Sequence, residues 1–294
     1  MKKVDVSALI SVALVVLIAA GLAWAGSQGG VVIFGLPLFT LSILLAFIIQ
    51  WLVFIPAFIY QTEKFFDLTG SLTYTSVTVL AFLLGDGQDA RSQLLMAMVL
   101  IWAGRLGSFL FRRVLKAGKD GRFDDIKPSF SRFLQTWTLQ GLWVSFTLAA
   151  ALAAITSRLK VEMDVFAWLG LAVWAFGFGI EVLADHQKEV FRRDAANTEK
   201  YIHSGLWSWS RHPNYFGEIT LWIGVAITAF PVLRGWQFLT LISPVFVTLL
   251  LTRISGIPLL EKRADEKWGG QADYETYKAS TSILVPLPPK ENQV

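Results

Sequence analysis

The chain has 294 residues, 54% apolar, 14% aromatic and only 16% charged, with a net charge of +4. That composition excludes a single water-soluble core, and several apolar runs are long enough to cross hydrocarbon, so the chain reads as a polytopic membrane protein. The absence of cysteine excludes disulfides, thiolate metal sites and cysteine nucleophiles, leaving His, carboxylates, Tyr or a bound cofactor for demanding chemistry; no metal site is read from the sequence.

In chain order, apolar runs predict spans at about 6–25, 37–60, 71–84, 93–111, 137–156, 164–184, 216–231 and 236–253. Each should be a helix, because hydrocarbon offers the backbone no other partner short of a closed barrel and the runs do not alternate. The expected fold class is all-α, a polytopic transmembrane helical bundle of about seven to eight spans in one membrane-embedded domain, 1–294. Residues 1–65 would supply the less distinctive N-terminal spans and 66–156 the middle spans with a basic loop. The third run covers about 14 residues, roughly 21 Å at the helical rise, too short to cross a typical core unaided.

Eight crossings put Met1–Asp5, Gln61–Gly70, Phe111–Thr136, Asp185–Tyr215 and the C-terminal segment on one side. Those segments carry 21 of the 26 Lys and Arg residues; four (Arg91, Arg158, Lys160, Arg234) fall on the other side and Arg105 lies within a span. The basic side is predicted to be cytoplasmic, with both termini there. Lys2 and Lys3 open a first helix that reads as uncleaved, since further spans follow AWAGSQGG. The basic residues cluster in loops and form no stripe of the kind that nucleic acid requires.

Polar residues converge on this side. Phe66–Ser71 opens the third span and places Asp67 and Tyr74 about two helical turns apart. Asp67 reads equally as an N-cap-like residue and Tyr74 as an interfacial belt residue. Arg105, within an apolar run, requires a carboxylate, phosphate or carbonyl partner. In IEVLADHQKEVFRR (Ile180–Arg193), Glu181, Asp185, Lys188 and Arg192 fall at i, i+4, i+7 and i+11, one helical face running out of the membrane. Lys188 alone reads as solvated; Glu181 and Asp185 read as an acidic pair for a polar ligand.

GLWSWSRHPNYFGE, Gly205–Glu218, is the most informative stretch. Pro213 suits the first helical position, so the free N–H groups after it would form an electropositive helix start flanked by Arg211 and His212, fit for a phosphate or carboxylate. Trp207, Trp209 and Tyr215 would also suit an interfacial anchor, but Asn214 and Glu218 would be costly facing lipid. The segment Thr252–Pro289 has no span of its own. Its Tyr274, Tyr277, Trp268-Gly269-Gly270 turn and apolar return at Ile283–Leu287 predict that it folds back against the membrane domain.

These two motifs, with SGIPLLEKR (Ser255–Arg263) and the YETYKASTSILVPLPP ending, resemble the bacterial family labelled domain of unknown function 1295. That family belongs with the steroid 5-alpha-reductase-like membrane reductases, which also include sterol C14 reductases and trans-enoyl-CoA reductase. The resemblance covers most of the chain from Phe66 onward. It implies a multi-pass protein of the bacterial inner membrane with a cytoplasmic-side NADPH site in 157–294. A lipophilic substrate, steroid- or enone/enoyl-lipid-like, would enter from the membrane lipid and accept a hydride at an activated carbon–carbon double bond.

Carried over by position, the acid followed seven residues later by Arg falls on Asp185 and Arg192, and Asn-x-x-Gly-Glu on Asn214, Gly217 and Glu218. The carbonyl-rich loop falls on Tyr201–Gly205 and the acid of the last polar segment on Glu261. NADPH's negative charges would suit Arg192, Arg193, Arg211 and the helix start beside His212, while Asp185 and Glu261 could accept from ribose or amide groups. Arg105, Glu181, Tyr201, Trp207, Tyr215, Tyr274 and Tyr277 complete the expected cofactor-binding set. One departure concerns the proton donor: steroid reductases carry a Tyr three residues before an Arg, and here Arg105 matches that Arg but Trp102 takes the Tyr position. An indole donates a hydrogen bond but delivers no proton, so the expected catalytic set is Tyr74, then Asp67, with Trp102, and with Glu218 placing the nicotinamide end.

Arg211-His212-Pro213 followed by Tyr215 and Gly217 also occurs in isoprenylcysteine carboxyl methyltransferases and phospholipid methyltransferases, which bind S-adenosylmethionine in the corresponding place. A membrane methyltransferase is therefore the alternative, and a non-enzymatic lipid-binding protein the third reading. The surplus of Arg and Lys favours the reductase, because adenosylmethionine lacks phosphates.

Overall fold

The computed structural model describes residues 3–86, 89–117 and 121–289. Ten α-helices are found among them: α1 (Lys3–Gly26), α2 (Leu38–Ile59), α3 (Phe66–Leu84), α4 (Ala90–Ala117), α5 (Phe130–Ile155), α6 (Val165–Arg193), α7 (Pro213–Ala229), α8 (Ile242–Leu249), α9 (Ile257–Trp268) and α10 (Ala272–Ser280). The described strands are a two-residue antiparallel pair, β1 (Val32–Ile33) and β2 (Leu36–Pro37), with Val32 opposite Pro37. Seven stretches among the described residues are long and apolar enough to cross a membrane: Asp5–Gly26, Leu38–Ile59, Phe66–Leu84, Phe130–Ile155, Val165–Arg193, Pro213–Val232 and Gly235–Trp268. The all-α polytopic bundle expected from the sequence is the observed architecture. The span expected at 93–111 falls on α4, whose side chains beyond Ser108 lie outside the described residues.

Two expectations need correction. The third span does not begin at 71: α3 starts at Phe66 and runs 19 residues, about 28 Å, long enough to cross. Thr69 and Gly70 look like loop residues, but tertiary contacts override that preference. Gln140 of α5 donates from Nε2 to the Phe66 carbonyl at 3.1 Å, and a Cβ on Gly70 would lie 2.5 Å from the same amide nitrogen. Phe66 also packs edge-on against Trp137 and Phe123, with centroids 5.1 and 5.0 Å apart. The helix N-cap is Phe65, without a side-chain cap bond, so Asp67 lies inside the first turn and is not the cap.

The last span, expected as one helix over 236–253, is a 3-10 turn (Gly235–Leu241), then α8, then a π turn (Leu250–Ile254). Gly235 has φ +51°, and the Trp236 N–H bonds the Gln28 side chain at 2.8 Å instead of a preceding turn, which tightens the entry. At the exit the Ser255 N–H donates to Leu250 O, five residues back, at 2.9 Å.

The chain divides into two compact units, Met1–Trp168 with Val225–Ser243, and Leu169–Gly224 with Pro244–Val294. In the first, α5 is the axis, 83% buried over its apolar window, with α1, α2 and α3 packed on it. Its run of small residues, Ala149–Ala154, lets the neighbours approach closely. In the second, α6 and α7 cross backbone to backbone. A Cβ on Gly177 would lie 2.5 Å from Leu221 N, one on Gly217 2.6 Å from Glu181 N, and one on Gly224 2.5 Å from Trp174 N.

Candidate functional site

The site lies in the second unit and is assembled from sequence upward. Helix α6 continues past the hydrocarbon length to Arg193, and the loop after it returns onto its polar end. The Trp207 indole donates to Ala184 O at 3.0 Å, the Leu206 N–H donates to Gln187 Oε1 at 2.9 Å, and Lys188 Nζ sits 4.3 Å from the Trp207 ring centroid. Gly205 makes this docking possible: its φ is +61°, and a Cβ there would lie 2.7 Å from the Gln187 amide. Pro213 is the first residue of α7, as its missing N–H and fixed φ favour.

The C-terminal segment then clamps the loop, as its aromatic and apolar pattern predicted. The Tyr277 hydroxyl donates to Trp207 O at 2.7 Å and the Trp268 indole to Glu199 O at 2.7 Å. Beyond α10 the chain returns against 209–211, with an isolated bridge between Ser210 and Ser282: Arg211 N–H donates to Ser282 O at 2.8 Å, Ser210 Oγ to Leu284 O at 2.8 Å, and Leu287 N–H to Trp209 O at 3.0 Å.

These segments enclose a cavity of about 380 Å³. Six cations line it, Lys188, Arg192, Lys200, Arg211, Arg263 and Lys267, against a single carboxylate, Glu261. Lys267 also meets Glu199 at 3.0 Å. The aromatic walls are Phe191, Tyr201, Trp207, Trp268, Tyr274 and Tyr277, with Tyr201 5.2 Å from both Tyr274 and Tyr277 by ring centroid. Arg211 Nη1 bonds Glu261 Oε2, and His212 Nε2 lies 2.8 Å from Glu261 Oε1. Burial pushes His212 below its ordinary pKa despite the opposing pull of Glu261, so the ring is neutral near pH 7 and donates its Nε2 proton. Burial raises the phenols of Tyr274 and Tyr277, which therefore stay protonated donors.

Of the residues singled out from the sequence, Arg192, Tyr201, Trp207, Arg211, His212, Glu261, Tyr274 and Tyr277 line this cavity. Asn214 donates to Asp185 at 3.2 Å, Glu181 is 2% exposed beside the Gly217 backbone, and Tyr215 stacks on His212 with centroids 5.6 Å apart. Glu218 follows one turn after Asn214 in α7. Arg193 is exposed and pairs with Glu189 at 2.8 Å on the helix surface. Lys188, read as merely solvated, is part of the wall. Arg263, Lys267 and Trp268 were not singled out as ligands; Leu260, Ala264 and Lys267 recur at helical spacing, and that periodicity was the available signal.

Asp67 and Tyr74 on α3 and Trp102 and Arg105 on α4 belong to the first unit. There the Tyr74 ring stands edge-on to Trp102, centroids 5.0 Å apart at 89°, and Ser71 Oγ bonds Ala103 O at 2.7 Å, fixing α3 to α4.

Residues 53–281 match the family described as Protein of unknown function (DUF1295). The chain is similar to 3-oxo-5-alpha-steroid 4-dehydrogenase 1 of Rattus norvegicus, 27% identical over 160 residues covering 50% of this chain and 56% of that protein. It is also similar to the Bos taurus protein of the same name, 30% identical over 143 residues covering 45% and 50%. The chain thus spans about half the length of these curated relatives. No solved structure matches it. With the family match extending over well more than half of its length, the chain belongs to the DUF1295 family.

Proposed function

We propose that the chain is an NADPH-dependent membrane reductase that transfers a hydride to an activated carbon–carbon double bond of a lipophilic substrate. The observation that carries this reading is the charge of the cavity: six cations and one carboxylate, the latter held by Arg211 and His212. A ligand bearing several phosphates is attracted there, whereas adenosylmethionine, a sulfonium cation without phosphates, is repelled. Similarity to the 3-oxo-5-alpha-steroid 4-dehydrogenases supports the reaction class and an apolar substrate.

The residues fit the cofactor. Arg192, Arg211 and Arg263 offer forked donors to phosphate oxygens, Lys188 and Lys200 point charges, and the Tyr201–Tyr274–Tyr277 cluster flat faces for a base. NADPH, when bound, supplies the hydride. The chain's own part is to hold the phosphates, orient the base and, at the substrate, supply a proton to the oxygen on which charge develops. Tyr74 is proposed for that proton, with Asp67 second.

Equilibrium binding to the detergent-solubilised protein, read by quenching of tryptophan fluorescence, tests the cofactor. NADPH should bind and adenosylmethionine should not; the reverse pattern returns the chain to the methyltransferase reading. Arg192→Ala and Arg263→Ala should each weaken NADPH binding by about 1.5–3 kcal/mol, the range for hydrogen bonds to charged groups.

A further inference from the structure

Resting on the phosphate-bearing cofactor proposed above, we infer that Glu261 is an internal competitor of that cofactor: its carboxylate takes the seat on Arg211 that a cofactor phosphate requires, and binding displaces it. This departs from the expectation that Glu261 accepts hydrogen bonds from the ligand. Arg211 and His212 both line the cavity and immediately precede Pro213, where the 17-residue helix α7 begins. Their side chains are 14% and 6% exposed. Glu261 spends both carboxylate oxygens on them, Oε2 on Arg211 and Oε1 on His212.

The fit of the carboxylate is incomplete. Arg211 Nε is buried with no hydrogen-bond partner among the described residues. A planar carboxylate turned so that each oxygen serves a different residue cannot also reach the Nε edge of the guanidinium. A phosphate has three terminal oxygens in a tetrahedron and can engage the Nε–H together with a second guanidinium N–H. The remaining charged lining residues on α9, Arg263 and Lys267, leave Glu261 as the single negative group on that wall. Its side chain is 19% exposed, so release requires a rotamer change toward water and no shift of α9.

The sign of one pair of substitutions separates competition from the alternatives. E261Q removes the charge but keeps the shape; E261D keeps the charge but withdraws it from Arg211. Binding of NADPH, and of 2′,5′-ADP as a phosphate probe lacking nicotinamide, is measured by titration calorimetry on folded, detergent-purified protein. Competition predicts that both variants bind both ligands about ten- to a hundredfold more tightly than the wild type, the equivalent of one released charge-assisted bond. Tighter binding by E261Q with E261D unchanged would reduce the effect to net charge and overturn the inference, as would weaker binding by either variant, which would make Glu261 a ligand contact. A wild type that binds neither ligand overturns the cofactor reading itself and is distinguishable from both.

Discussion

Arg91 shows how a single buried charge is made tolerable. It is 1% exposed, and its guanidinium donates to Val161 O, Glu162 O and Thr228 O at 3.2, 2.6 and 2.7 Å and to Asp164 Oδ1 at 2.7 Å. The fork satisfies carbonyls from two chain segments that no lysine could reach together. Arg91→Leu should therefore destabilise the protein by about 3–5 kcal/mol, read from thermal unfolding in detergent, with Arg91→Lys recovering little. His212 makes a different residue-scale prediction. Its pKa in the folded protein lies below the ordinary 6.5, so below that pH the unfolded chain binds a proton that the folded chain refuses. The contribution is present above pH 6.5 and is lost as pH falls further. The wild type should lose melting temperature between pH 7 and 5 more steeply than His212→Gln; equal slopes would show that His212 is not a neutral buried ring. For the chemistry, Tyr74→Phe should lower turnover of a reduced substrate while leaving NADPH affinity intact, and unchanged turnover would clear Tyr74 of the proton-donor role.

At the scale of elements, the α6–α7 crossing positions the site. Gly177, Gly217 and Gly224 bring the two backbones together, and the contact carries Asn214 to Asp185 and sets Arg211 and His212 beside the polar end of α6. Gly217→Ala should cost about 1–3 kcal/mol by overpacking and lower NADPH affinity in parallel, although the residue touches no lining side chain. A Gly217→Ala protein with wild-type melting temperature would sink this account. The sequence makes Gly217 visible in Asn-x-x-Gly-Glu but not its role, since the partner backbone at Gly177 and Glu181 lies some 40 residues earlier in the chain. The start of α3 was misplaced for a related reason: Thr69 and Gly70 carry a loop preference, and the contacts that overrule it come from α5.

For the whole molecule, charge asymmetry is the accessible quantity. With 21 of 26 Lys and Arg residues on one side of the predicted crossings, reporter fusions after Lys127 and Lys200 should read cytoplasmic, and fusions after Asp89 and Arg158 periplasmic. Reversal at either pair would remove the common face on which the proposed site depends.

The sequence by itself determined the class, the approximate positions of the apolar spans and the identity of the polar motifs. Lipid leaves the backbone only local partners, so each crossing must appear as an apolar run along the chain, and Pro213 announces the start of α7 by its own geometry. Tertiary structure alone decided which polar residues meet. The Glu261 carboxylate reaches Arg211 across 50 residues, the Tyr277 hydroxyl reaches Trp207 across 70, and Gln140 reaches Phe66 across 74. No periodicity encodes such meetings, because a long-range contact depends on how helices cross and not on the spacing within any one of them.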